Sequence, residues 1–163
     1  MASTILRYAA KALIVEDGRL LCLRKRGDIG LYYVLPGGGQ EPGELLPATL
    51  ERECLEELGA HIEPGRLRYV QEYVGRNHLF KDEHGGRHFV NLYFECRLLE
   101  RPLTRPLTPD AGQEALEWLP LEQLSEAAFF PRVLVGPLQA GLLREGGSQT
   151  DSGDGAVYLG DSV

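Results

Sequence analysis

The sequence predicts an α/β (α+β) fold, a layer sandwich in which helices cover the faces of a central mixed β-sheet. Three observations carry this expectation. Strand-like runs recur along the chain, an amphipathic helical stretch interrupts them at residues 47–58, and two further helical stretches follow closer to the end. The chain has 163 residues, 43% of them hydrophobic and 25% charged, which fits one globular domain with one core.

Tyr8 to Val15 reads as a strand, Glu16-Asp17-Gly18-Arg19 supplies an Asp-Gly turn, and Leu20 to Arg24 is the return strand. Tyr32 to Leu35 is a short β-prone run, closed by Pro36 and three glycines. In residues 47–58, Leu50, Cys54 and Leu58 repeat every four residues and so share one helix face. Pro47 suits the first helical position, where its missing N–H costs nothing, and Gly59 suits the left-handed stop. Leu67 to Val74 and His88 to Leu99 read as strands, joined by a polar hairpin loop at Asn77 to Gly86. Pro102 to Gly112, with three prolines, reads as an irregular surface loop. Ala115 to Leu119 follows as a short strand, and Leu121 to Ala128 and Arg132 to Arg144 read as helices separated by Pro131. Residues 1–145 form a single domain on this reading. Residues 146–163 divide into a Gly/Ser-rich linker and a short tail strand, Val157 to Leu159, apolar enough to dock on an open sheet edge of this chain or of a second copy.

No run of about 18 apolar residues is present, so no membrane span is expected. The first residues lack a basic region followed by an apolar stretch, so no secretory leader is expected either. Cys22, Cys54 and Cys96 are odd in number and far apart, which excludes a disulfide framework or a CxxC metal site. They read as small core residues of a reduced, cytoplasmic protein. The net charge of −7 argues against a DNA-binding protein and disfavours RNA, because affinity for nucleic acid draws on Lys and Arg contacts to phosphate.

The negative charge is concentrated. Glu41, Glu44, Glu51, Glu53, Glu56 and Glu57 fall within 17 residues. A helix advances about 100° per residue, so Glu57 lies about 40° from Glu53, and Glu56 about 60° on its other side. Three carboxylates thus share an arc of about 100°, roughly opposite the Leu58 edge of the apolar stripe. Like charges at these spacings destabilise a helix by a few tenths of a kcal/mol per pair, with Arg52 as the local offset. A bound divalent cation relieves the repulsion, and oxygen-only ligands select hard ions such as Mg²⁺ or Mn²⁺ over zinc. Ahead of the helix, Gly37, Gly38, Gly39 and Gly43 let the backbone approach a ligand closely. A glycine-rich loop feeding a helix is a common anion site. Phosphate beside glutamates needs metal between them, and the combination describes metal-assisted phosphoryl chemistry. A solvated acidic helix after a Gly-rich turn is the plainer alternative.

The stretch Gly38 to Ala60 resembles the Nudix box, Gly-x5-Glu-x7-Arg-Glu-U-x-Glu-Glu-x-Gly-U, where U is a bulky apolar residue. Gly38, Glu44, Arg52, Glu53, Glu56, Glu57 and Gly59 match at the required spacing, while Cys54 and Ala60 put small residues at the U positions. Leu45 stands where many members carry a Ser or Thr cap. The resemblance implies a Nudix-like α/β/α sandwich with a central mixed β-sheet. It also implies a Mg²⁺- or Mn²⁺-dependent hydrolase cleaving a diphosphate linkage in nucleoside-diphosphate-linked compounds: small nucleotides, nucleotide sugars or ADP-ribose-like molecules. Within it, Glu53, Glu56 and Glu57 would ligate metal, with the Gly38 carbonyl as a further ligand. Arg52 would orient Glu53, and Glu44 would hold Arg52 or a water of the metal's shell. The general base would be a box glutamate or one from a later loop, where Glu114 is the candidate. Many members are dimers, so a homodimer is expected. A non-catalytic nucleotide-binding module and an RNA 5′-pyrophosphohydrolase are the alternative readings. The proline and tyrosine that mark some subgroups downstream of the box are missing, their places falling around Gly75, Arg76 and Asn77.

Candidate substrate contacts are less specific. Arg24 and Arg26 follow the second strand and could reach a terminal phosphate. Tyr33 and Phe80 could stack on a base, and His78 sits in a hairpin of the kind that selects substrates in this family. Surface or packing roles are the alternatives for all five. His84-x3-His88 has a zinc-like spacing, but Gly85-Gly86 between them argues against a helix.

Overall fold

A computed structural model describes residues 5–78, 86–102, 108–140 and 155–162 of the chain. Strand β1 (Ile5–Leu13) is buried on both faces at its C-terminal end, with Ala10 and Ala12 in one core and Leu13 in another. Such a strand belongs inside a sheet. It pairs in parallel with β7 (Arg87–Leu98) and antiparallel with β5 (Gly37–Gly39). Strand β6 (Ile62–Val74) joins antiparallel to β7, and β9 (Val157–Asp161) adds in parallel to β6, giving the order β5-β1-β7-β6-β9. A second, antiparallel sheet is built on β3 (Arg19–Gly27). It is flanked by β2 (Val15–Glu16) and β4 (Gly30–Val34) on one side and β8 (Gln113–Pro120) on the other. The Asp17-Gly18 turn is made by two positive φ angles, 48° and 70°.

Helix α1 (Leu46–Leu58) lays Leu50, Cys54 and Leu58 against Ala10, Ala12, Ile14, Leu21 and Leu23. Gly59 stops it in the left-handed conformation at φ 62°, its N–H returning to the Leu55 carbonyl. The other core joins Leu13, Leu20, Tyr69 and Tyr93 to Phe129, Leu134 and Leu138, the last of these on the short helix α2 (Val135–Gln139). Helices therefore cover a central mixed sheet, as the sequence predicts. No helix among the described residues is long and apolar enough to cross a membrane.

Four elements depart from the sequence reading. The three glycines form a strand rather than a loop. Strand β6 starts at Ile62 instead of Leu67, and a register shift after Pro64 accommodates the residue that cannot donate to the ladder. The first of the two late helices shrinks to a 3₁₀ turn at Leu121–Gln123, because the chain must extend to pair with β4. There the Tyr33 N–H donates to the Ala128 carbonyl and the Phe130 N–H to the Tyr33 carbonyl. The second is a 3₁₀ turn at Arg132–Leu134 running into α2, where Gly136 and Pro137 weaken helix propensity. The remainder of that predicted helix lies outside the described residues.

Candidate functional site

The N-terminus of α1 is organised by Glu44 instead of by its cap residue, since Leu45 makes no side-chain cap. The Glu44 carboxylate accepts from Arg52 Nε at 2.7 Å and Nη2 at 3.0 Å, from Thr49 Oγ1 at 2.9 Å and from the Glu41 N–H at 3.1 Å. Arg52 foremost, then the Glu41 N–H, hold its carboxyl down at about 2. The same guanidinium donates from Nη1 to Glu53 Oε1 at 2.6 Å and from Nη2 to the Gly39 carbonyl at 3.0 Å. One arginine thereby ties the loop, the helix start and Glu53 into one rigid unit.

Glycine makes the next contact possible. A Cβ on Gly38 would lie 2.4–2.6 Å from the Glu53 carboxyl atoms, so the carboxylate occupies the space that a side chain would fill. Beside it, Glu57 Oε2 accepts from the Gly37 N–H at 2.8 Å, and Glu57 is only 4% exposed. Burial pushes its carboxyl up to about 7, against the opposing pull of Lys11 and the Gly37 N–H. Lys11 Nζ donates to the Gly37 carbonyl at 2.6 Å. Glu56 is partly exposed and makes no side-chain bond to the described residues.

Glu44, Arg52, Glu53 and Glu57 are thus gathered around β5, with Glu56 on the same helix turn. As they stand, no three His, Cys, Asp or Glu side chains among the described residues are placed to hold a metal ion. The donor chemistry nevertheless fits a hard divalent cation. The donors are carboxylate oxygens, and Glu57 is a buried carboxyl whose charged form lacks sufficient positive compensation.

A cavity of about 640 Å³ lies between the two sheets. Tyr32, Tyr73, Phe89 and Phe130 give it aromatic walls, Gln71 and Asn91 an amide floor, and Lys11, Lys25 and Arg87 positive charge. None of the box glutamates lines it. Lys11 is the link, since it lines the cavity and binds the Gly37 carbonyl. Lys25 is a second link. It lines the cavity and pairs with Asp110, whose charge acts on Glu57.

Several predicted contacts are placed elsewhere. In the β3–β4 hairpin Lys25 pairs with Tyr32 and Arg24 with Tyr33, so these pairs project to opposite faces. Lys25 and Tyr32 take the cavity face. Arg24 and Arg26 instead meet Glu114, Arg26 Nε lying 2.5 Å from its Oε1 and Arg24 Nε 3.8 Å from its Oε2. Tyr33 and Arg24 both approach Glu117 Oε2, at 3.4 and 3.3 Å. Glu114 is therefore not brought to the box; its neighbour Gln113 is, donating to the Glu57 carbonyl at 3.2 Å. His78 stands behind the cavity wall, stacked on Tyr73 at 4.8 Å and bonded to Asp161 at 2.7 Å. Phe80 and His84 lie outside the described residues. The sequence reading missed Lys11, Lys25 and Asp110. A lone lysine between alanines on a strand was the available signal for Lys11.

A family profile described as "NUDIX domain" matches residues 6–135. The curated protein "Nucleoside diphosphate-linked moiety X motif 6" of Xenopus laevis is 34% identical over 119 residues, 71% of this chain and 50% of its own length. "Nucleoside triphosphatase NudI" of Enterobacter sp. (strain 638) is 30% identical over 100 residues, 56% of this chain and 69% of its own. A solved structure, "MutT NUDIX hydrolase from Burkholderia pseudomallei", superposes with a TM-score of 0.59 at 32% identity, covering 72% of this chain and 85% of that one. The chain spans half the length of the first of these relatives and about two thirds of the second.

Proposed function

The chain belongs to the Nudix family, and from that membership we propose that it is a metal-dependent pyrophosphohydrolase acting on small nucleoside-diphosphate-linked compounds. One observation supports this above the others: Glu53 is seated in the space left by Gly38 and clamped by Arg52, next to the buried Glu57. Glu53, Glu56 and Glu57 would hold Mg²⁺ or Mn²⁺, with the Gly38 carbonyl as a further ligand. A divalent ion there supplies charge neutralisation for the diphosphate and acidifies the attacking water.

The protein's own groups do the rest. Arg52 fixes the Glu53 carboxylate, and Glu44 fixes Arg52. The nucleoside is held by the aromatic cavity, while Lys11 and Lys25 steer the diphosphate toward α1. A box glutamate accepts the proton of the attacking water, because Glu114 is engaged by Arg24 and Arg26. The products are a nucleoside monophosphate and a phosphorylated second moiety. A homodimeric assembly and a cytoplasmic location belong to the same proposal. β9 is docked on β6 of its own chain, so the β6 edge is taken and the outer edge of β9 ends the sheet.

The test is a panel of nucleoside triphosphates, nucleotide sugars, ADP-ribose and dinucleoside polyphosphates, incubated with purified protein and Mg²⁺ or Mn²⁺. Turnover of at least one compound to a nucleoside monophosphate is expected. A folded protein that binds nucleotides yet turns over none of the panel would overturn the hydrolase reading in favour of a binding module.

A further inference from the structure

The amide floor of the cavity has a fixed polarity, and that polarity selects ligands. Gln71 is 1% exposed and fully engaged. Its Nε2 donates to two backbone carbonyls, those of Glu72 and Ser162. A carbonyl only accepts, so the amide nitrogen must face that side and the oxygen the other. Gln71 Oε1 then accepts from Tyr93 Oη at 3.0 Å and from Asn91 Nδ2 at 2.8 Å. Both donors and both lone pairs of Gln71 are thereby used.

The orientation of Asn91 follows. With its nitrogen committed to Gln71, its Oδ1 is left without a protein partner among the described residues, on a side chain that lines the cavity. Strand β9 is part of this arrangement. The Ser162 N–H donates to the Glu72 carbonyl at 3.1 Å and so sets the Ser162 carbonyl over Gln71. Asp161 anchors the same segment through the Val74 N–H at 2.9 Å and Asn77 Nδ2 at 2.6 Å.

We propose that Asn91 Oδ1 is the cavity's specificity-determining acceptor for an exocyclic amino group of a nucleobase, and that Gln71, held by the Ser162 carbonyl, is the positioning residue that keeps it an acceptor. The chemistry is a neutral N–H donor on an aromatic ring. The ring matches the walls of Tyr32, Tyr73, Phe89 and Phe130, and the donor matches the unmatched oxygen on the floor. This rests on the reading of the cavity as the nucleoside site.

The experiment compares three triphosphate pairs in which one exocyclic amino group is replaced by hydrogen: ATP with purine riboside triphosphate, CTP with pyrimidin-2-one riboside triphosphate, and GTP with ITP. Equilibrium binding and kcat/KM are measured for the wild type, Asn91→Leu and Gln71→Leu, with melting curves to verify folding. The wild type prefers the amino member of at least one pair by about tenfold or more. Asn91→Leu loses that preference. Gln71→Leu, which leaves the Asn91 amide free to turn over, also reduces it, and a purely structural role for Gln71 would weaken both members of the pair alike. Equal treatment of all pairs by the wild type, or a preference that survives Asn91→Leu, overturns the proposal. Because binding is read separately from turnover, a chain that discriminates without hydrolysing contradicts only the hydrolase reading.

Discussion

Two adjacent glycines in β5 separate folding from function. At Gly37 a Cβ would lie 2.2 Å from the Ala10 carbonyl oxygen and 2.9 Å from the Lys11 Cα, both backbone atoms of the paired strand. Its φ of +119° is also closed to side-chain-bearing residues. Gly37→Ala therefore incurs backbone strain of about 1–3 kcal/mol. Parting β5 from β1 adds an overpacking cost of about 1–3 kcal/mol. At a few degrees per kcal/mol, Tm falls by on the order of 10 °C. Gly38→Ala is different. Its backbone is unstrained, and the clash is with the far end of Glu53 at 2.4–2.6 Å. That carboxylate must retreat by roughly 1 Å to reach ordinary contact. On the proposed role of Glu53 as a metal ligand, such a displacement costs on the order of 100-fold in rate. The expected outcome is a Tm within about 4 °C of wild type and kcat lowered about 100-fold. Differential scanning calorimetry and a phosphate-release assay on the best substrate read the two quantities. Wild-type kcat in Gly38→Ala, or wild-type melting in Gly37→Ala, would refute the reasoning.

Arg52→Lys should lower kcat by about 10–100-fold while shifting Tm by only a few degrees, because a single ammonium cannot span Glu44, Glu53 and Gly39 together; steady-state kinetics beside melting curves check this. Asp161 carries a pH dependence. Burial works to raise its carboxyl, but hydrogen bonds from Asn77, the Val74 N–H and His78 prevail and hold it at about 2, below its ordinary value of 3.8. A lowered carboxyl stabilises the folded form above its unfolded value, and that contribution disappears as pH falls from about 4 through about 2. The hydrogen-exchange protection factor of the Val74 amide, taken against its intrinsic rate at each pH, should fall over this window while that of the core Leu21 amide stays high, and Asp161→Asn should remove the acid step.

The box was legible because its chemistry depends on spacing along one helix. Leu50, Cys54 and Leu58 set the buried stripe, and Gly59 the stop. Glu57 falls seven residues after Leu50 and thus only about 20° from it, which places it on the buried side instead of a solvated acidic face. That phase was available in the sequence. The glycine strand was not, because glycine has low strand propensity and only the close approach of Ala10 explains it. The face of the β3–β4 hairpin that lines the cavity was not legible either. Lys25 and Tyr32, not Arg24 and Tyr33, face the cavity, and the choice between alternate faces is fixed by what each face packs against. Asp110 is brought near Glu57 by chain reversal before β8, a long-range placement that local pattern does not encode. The tail strand was readable as apolar and β-prone, while its wiring through Gln71 to Asn91 depends on tertiary register.

On the proposed function, α1 and β5 form a metal-dependent centre for diphosphate hydrolysis. Its most direct test is turnover of the best panel substrate by chelator-treated wild type, Glu53→Gln and Glu57→Gln, each before and after adding Mg²⁺, Mn²⁺ or Zn²⁺. Turnover should cease after chelation, the wild type should recover with Mg²⁺ or Mn²⁺ but not Zn²⁺, and kcat should be lower by orders of magnitude in both folded variants. Undiminished turnover in the presence of chelator, or wild-type kcat in either variant, would contradict it.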